Sequence, residues 1–199
     1  MNHLAHFVVA ASHPHLLAGA LLGDHIKGRL TGERPATVEA GIQLHRQVDS
    51  FTDQHSLLRH SAQRFDPAFR RYAGIMLDII FDYFLARRFA DFQLGTLPEF
   101  NDYVFKSLAD CQQWFDQPAR DQYLRMRDRQ SMLFYGDSAY IDRSLRYLAT
   151  RLKHDNPLAG GYLEFVEHEQ DLEQDFTQFF PELQAYTKAW IQQHFQELI

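Results

Sequence analysis

Asp78 and Asp82 stand in the run from Gly74 to Leu85, where nearly every other side chain favours an interior away from water. Residues four apart share one face of a helix, and two carboxylates at that spacing repel each other instead of supporting the helix. Ionised carboxylates are seldom buried without a partner. A divalent cation between them would satisfy both, because hard cations take oxygen ligands and their charge converts repulsion into affinity. The alternative is that both acids face solvent or pair with Arg70, Arg71 or Arg87.

A second cluster runs from His45 to Asp53. His45, Asp49 and Asp53 are spaced by four, so an imidazole and two carboxylates rise along one stripe of a single helix, and a His and an Asp one turn apart can reach the same metal ion. Arg46 lies one position around, where its guanidinium could hold a phosphoryl oxygen or lock Asp49 or Ser50 in place. The pair alone is a weak pattern that a surface ion pair would also produce. Its weight comes from company: His6 interrupts the apolar run Leu4 to Val9, and Asp24 ends the apolar run Leu16 to Gly23. Four segments thus each deliver an acid or imidazole into apolar surroundings, which predicts a convergent site. His13 and His15 flank Pro14, which predicts a loop or first-turn role for them.

No Gly-rich phosphate loop, Rossmann fingerprint, His-Glu-x2-His, calcium loop or nucleophile elbow occurs in the chain. The Glu-x2-His pairs of di-iron bundles are missing as well. Aspartates and histidines without cysteine suit Mg²⁺, Mn²⁺ or Fe²⁺, whose usual work in such a setting is hydrolysis of a phosphate ester by a metal-activated water.

The elements that must position these groups are helices. Apolar positions recur at three and four through most of the 199 residues, and sustained alternation rich in Val, Ile and Thr is missing. Breaks fall at 28–35, 66–67, 95–98, 117–118, 135–138, 154–161 and 180–181. They predict roughly seven to nine helices in one all-α multi-helix bundle spanning 1–199, with the metal site mainly from 1–90. The stretch from about Arg34 to His60 is the longest uninterrupted candidate, and Tyr162 to Ile199 reads as two amphipathic helices separated at Pro181.

Hydrophobic residues make up 45% of the chain and aromatics 14%, including 17 Phe, which excludes a disordered chain. A net charge of −6 argues against nucleic acid, yet arginines gather at 64–88 and again at 120–151, leaving room for a local basic surface. The single Cys111 permits no internal disulfide, the start at Met1 lacks the positive residues of a secretory signal, and no apolar stretch spans a membrane. The expected setting is cytoplasmic.

Taken together, Asn2-x-Leu4-Ala5-His6, Leu22-Gly23-Asp24-x2-Lys27-Gly28, Gly41-Ile42-x-Leu44-His45-Arg46-x2-Asp49-x2-Thr52-Asp53, Arg70-Arg71 and Leu77-Asp78-x3-Asp82-x-Phe84-Leu85 resemble the bacterial acyl carrier protein phosphodiesterases. The resemblance covers about the first 90 residues; the remainder matches only as helix. It implies hydrolytic removal of 4'-phosphopantetheine from the serine of holo acyl carrier protein, with a divalent metal, typically Mn²⁺, and a remote likeness to the all-α HD phosphohydrolases; the chain's His-Asp doublet, His154-Asp155, lies outside these motifs. The family usually carries histidine directly after its second helix aspartate, where this chain has Tyr83. On this reading His6, Asp24, His45, Asp49, Asp78 and Asp82 are ligands or their close partners. Arg46 and Lys27 neutralise charge on the phosphoryl oxygens, and Asp53 supports the cluster or ends its helix. Arg64, Arg70, Arg71 and Arg87 are expected to face the acidic carrier protein. The competing readings are a metal phosphohydrolase for a nucleotide or other small phosphodiester, and a helical protein that binds carrier protein without turning it over.

Overall fold

The run that carries Asp78 and Asp82 folds into a helix hydrophobic on nearly every side, and such a helix belongs in the middle of a fold. The structure, a computed structural model, describes residues 2–92 and 95–195. Among them it comprises α1 (His3–Ala10), α2 (Pro14–Leu22), α3 (Ala36–Gln54), α4 (Ser56–Arg64), α5 (Ala73–Arg87), α6 (Leu97–Ala109), α7 (Gln117–Arg129), α8 (Ser138–Arg151) and α9 (Gly161–His194), joined by turns and short 3-10 segments. No described residue lies in a strand, and none of the helices is long and apolar enough to cross a membrane.

Central α5 packs against α1, α4, α8 and α9. Phe81 and Phe84 meet Phe176 of α9 at ring-centroid distances of 5.4 and 5.9 Å, and Phe92 closes the same cluster against Phe180 at 4.9 Å. These fully or largely buried rings account for the phenylalanine-rich composition, since each removes a large apolar area from water.

Helix starts follow their capping chemistry. The Thr96 side chain accepts from the Glu99 N–H while Glu99 reaches back to the Thr96 N–H, a complete capping box. Asp116 and Asp137 cap α7 and α8, and His13 caps α2 with Pro14 in its first turn. The first-turn role read for the His13 to His15 patch therefore holds.

Two expectations are corrected. The stretch Arg34 to His60 is broken at His55, whose backbone is extended and whose Nδ1 accepts from the Leu57 N–H to start α4. The His55 ring is held edge-on against Phe179 at 4.9 Å and its Nε2 lies 3.2 Å from Glu182, so contacts with α9 favour the break over a continuous helix. Conversely, the tail is one helix through Pro181, not two, as far as His194; residues 196–199 lie outside the described part. Pro181 is exposed, while Phe179, Phe180 and Leu183 around it are buried. One missing backbone hydrogen bond, costing about 3 kcal/mol, is offset by keeping those three side chains in the core.

The closest helix contact is between α2 and α3. A Cβ on Gly19 would lie 2.4 Å from the Gly41 backbone, so only glycine permits this crossing. One turn further along each helix, Gly23 meets His45, where a Cβ would come within 2.1 Å of the imidazole Cγ. Two glycines on α2 and its C-cap thus seat the imidazole of α3.

Candidate metal centre

His6 on α1 and His45 on α3 are both 4% exposed, and their rings stack in parallel, 3.9 Å apart and inclined by 13°. Asp49, one turn beyond His45, closes the group: its Oδ1 is 3.2 Å from His6 Nε2 and its Oδ2 is 3.2 Å from His45 Nε2. The His45 ring is aimed by its other nitrogen, which donates to the Ala20 carbonyl at 2.9 Å and so turns Nε2 toward Asp49. Asp24, just past the end of α2, lies 3.6 Å from the same Nε2. His3, one turn before His6, stands 3.6 Å from the other oxygen of Asp24.

Ligand-type atoms of His6, His45 and Asp49 all lie within 4.8 Å of one another. Donors adjacent to each other around an ion with bonds of roughly 2.1 Å sit about 3 Å apart, so the 3.2 Å separations need little adjustment to hold one. Two imidazoles and a carboxylate are a donor set for Mn²⁺, Fe²⁺ or Zn²⁺ more than for Ca²⁺. The electrostatics agree with the chemistry. Burial lowers His6 to about 4, so its ring is uncharged at neutral pH. Burial works to raise Asp49, but hydrogen bonds from His45 and His6 outweigh it and hold the carboxyl well below its ordinary range.

The two α5 aspartates have different surroundings. Burial raises Asp78, and the carboxylates of Asp49 and Asp53 raise it further, which puts it within electrostatic reach of the cluster. Asp82 is 1% exposed and accepts from the N–H groups of Leu4 at 2.8 Å and Ala5 at 3.1 Å. It is a cap supplied by α5 to the start of α1, satisfying donors that Asn2 leaves uncapped. Its carboxylate therefore positions His6 through the helix that carries it.

Of the cationic residues, Arg46 donates to the Ile26 carbonyl at 3.0 Å, tying α3 to the loop that carries Asp24. Lys27, exposed on that loop, reaches the Gly23 carbonyl at 3.4 Å. Asp53 is exposed one turn past Asp49. Tyr83 faces α9: its hydroxyl donates to Glu169 at 3.1 Å and accepts from Arg87 at 2.6 Å, so this position packs and does not face the cluster.

The arginines expected at the site mouth are engaged elsewhere. Arg64 pairs with Asp171 at 2.8 Å and Asp175 at 3.0 Å, Arg70 donates to the Phe65 and Gln63 carbonyls, and Arg87 pairs with Tyr83 and Glu169. Arg71 lies on an exposed 3-10 turn. None of the four lines the cleft that opens beside His3 and Asp24. That cleft runs between α7 and α8 and carries Arg125, Arg129 and Arg143 instead. His3 went unread in the sequence although its i, i+3 spacing to His6 was visible; Gln122, which contacts both His3 and His25, had no local signal at all.

The model of the family described as acyl carrier protein phosphodiesterase matches residues 1–183. Proteins of that name from Yersinia pestis and Photorhabdus laumondii are 33% and 30% identical to this chain, over 91% of it and 94% and 92% of their own lengths. One from an Enterobacter strain is 32% identical over 94% of this chain and 98% of its own. No solved structure matches. The match runs through α1, α3 and α5, which carry the His6, His45, Asp49 cluster and its Asp82 buttress, and extends over nearly the whole chain: it belongs to the acyl carrier protein phosphodiesterase family.

Proposed function

We propose that this chain hydrolyses the phosphodiester of holo acyl carrier protein at a divalent metal held by His6, His45 and Asp49, with Asp24 beside them. A water oxygen forms a bond to phosphorus, the bond from phosphorus to the carrier serine oxygen breaks, and that oxygen takes up a proton. Apo carrier protein and 4'-phosphopantetheine are released. The observation that carries the reading is the convergence of those side chains from α1, α3 and the loop after α2, in a chain that matches the family along its length. Mn²⁺ is the preferred ion, with Mg²⁺ or Fe²⁺ as alternatives; when bound it lowers the pKa of water and withdraws charge from the diester.

The chain's own residues supply the rest. Asp78, whose basicity is raised by burial and by the Asp49 and Asp53 carboxylates beside it, is the candidate to accept a proton from the attacking water. Lys27 is exposed on the loop beside Asp24 and neutralises charge growing on the phosphoryl oxygens. Arg46 uses one edge of its guanidinium on Ile26 and keeps donors for the same task. Asp53 adds negative charge that favours cation entry.

The test is to incubate purified protein and Mn²⁺ with holo carrier protein, with and without chelator, and weigh the carrier. Loss of the phosphopantetheine mass only with metal is the expected result. An unchanged carrier mass in the presence of Mn²⁺, together with turnover of nucleotides or small diesters, would replace the carrier with another phosphodiester substrate.

A further inference from the structure

Between α7 and α8, a cleft of about 1000 Å³ ends at His3 and Asp24. We infer that it is the subsite for the pantetheine arm of the substrate, with the phosphodiester at the His3–Asp24 end and the arm running outward along the cleft; this rests on the function proposed above. Position is the first reason. Asp24 is 3.6 Å from His45 Nε2, so a molecule lying in the cleft abuts the candidate metal centre and need not reach it through the core.

The lining is the second reason. Phe134 and Tyr147 stand on the cleft wall 53% and 62% exposed, large rings without the cover that such side chains usually have. A pantetheine arm has the complementary character: a gem-dimethyl group and methylenes to lie against the rings, and two amides to bond with polar groups such as Gln122 and Ser144 between them. A bare phosphate would leave both aromatic faces wet.

Charge is the third. Three arginines and one aspartate line the cleft. Arg143 is paired with Asp137 at 3.4 Å, whereas Arg125 and Arg129 make no ion pair with any described residue. Unpaired guanidinium groups at the open side match an acidic carrier body to which the arm is attached.

Binding of 4'-phosphopantetheine to the Mn²⁺-loaded protein, followed by calorimetry with inorganic phosphate as reference, tests the assignment. The wild type should bind the arm more tightly than phosphate. Tyr147→Ala, at an exposed position, and Ser144→Trp, which fills the cleft, should each weaken the arm by roughly tenfold and leave phosphate affinity and metal content unchanged. Equal affinities of wild type for arm and phosphate, or a Tyr147→Ala protein that binds the arm as the wild type does, would overturn the subsite. Turnover of holo carrier by the wild type is read separately. If it persists while the cleft variants bind and turn over normally, the subsite is wrong and the activity stands. If the wild type binds the arm and leaves the carrier intact, the activity is wrong and the cleft stands. A nucleotide that binds more tightly than the arm and loses affinity in both variants would give the cleft to a different ligand.

Discussion

Asp82 shows how a buried carboxyl can serve a side-chain cluster without being part of it. It holds the N–H groups of Leu4 and Ala5, and His6 follows directly on the same turn. Burial pushes its pKa up to about 7, from an ordinary value of 3.8, against the pull of those hydrogen bonds. Between these values the folded protein keeps a proton that the unfolded chain has released, so this group's contribution to stability falls as pH rises from about 4 to about 7. In chelator, urea midpoints of wild type and Asp82→Asn across that range should therefore diverge, the wild type losing ground as pH rises; parallel curves would place the Asp82 titration elsewhere. Gly23→Ala is a second test at this scale. The new Cβ meets the His45 ring, so metal affinity should drop by roughly 10–100-fold at a stability cost of about 1–3 kcal/mol, read by metal titration and thermal melts. His45 and Asp49 were legible in sequence because a four-residue spacing puts them on one stripe. Asp82 was legible only as a polar residue in an apolar helix, since whether a carboxyl faces an ion or a helix terminus depends on what packs against it.

At the scale of elements, the helical class and most boundaries followed from local chemistry, as at Thr96 and Asp137. The failures lie where tertiary contacts override a local signal: His55 interrupts a helical pattern because α9 holds its ring, and Pro181 fails to interrupt one because the core holds its neighbours. Pro181→Ala should restore a backbone hydrogen bond at an exposed site and stabilise the protein by about 1–3 kcal/mol, with kcat and KM unchanged. A loss of stability would mean that the proline relieves a strain in α9. The α2–α3 crossing was likewise hidden, because Gly19, Gly23 and Gly41 become informative only when the two helices are placed face to face.

For the whole molecule, the excess of acids over bases conceals a basic cleft next to the candidate metal centre. Arginine clustering was visible along the chain, but which cluster borders the site depends on how α7 packs against α2 and α8 against α5 and α9. Arg125→Glu with Arg129→Glu should raise KM for holo carrier protein roughly tenfold and change kcat by less than about twofold, and added salt should raise the wild-type KM more than that of the variant. An unchanged KM would remove the arginines from docking. The central claim is that His6, His45 and Asp49 together hold the ion on which turnover depends. Elemental analysis of Mn²⁺-loaded wild type, His45→Ala and Asp49→Ala, after removal of free metal and alongside the carrier mass assay, tests it most directly. The wild type should retain the ion and turn over, and both variants should lose the two together. Variants that keep a full complement of metal and full turnover would contradict it.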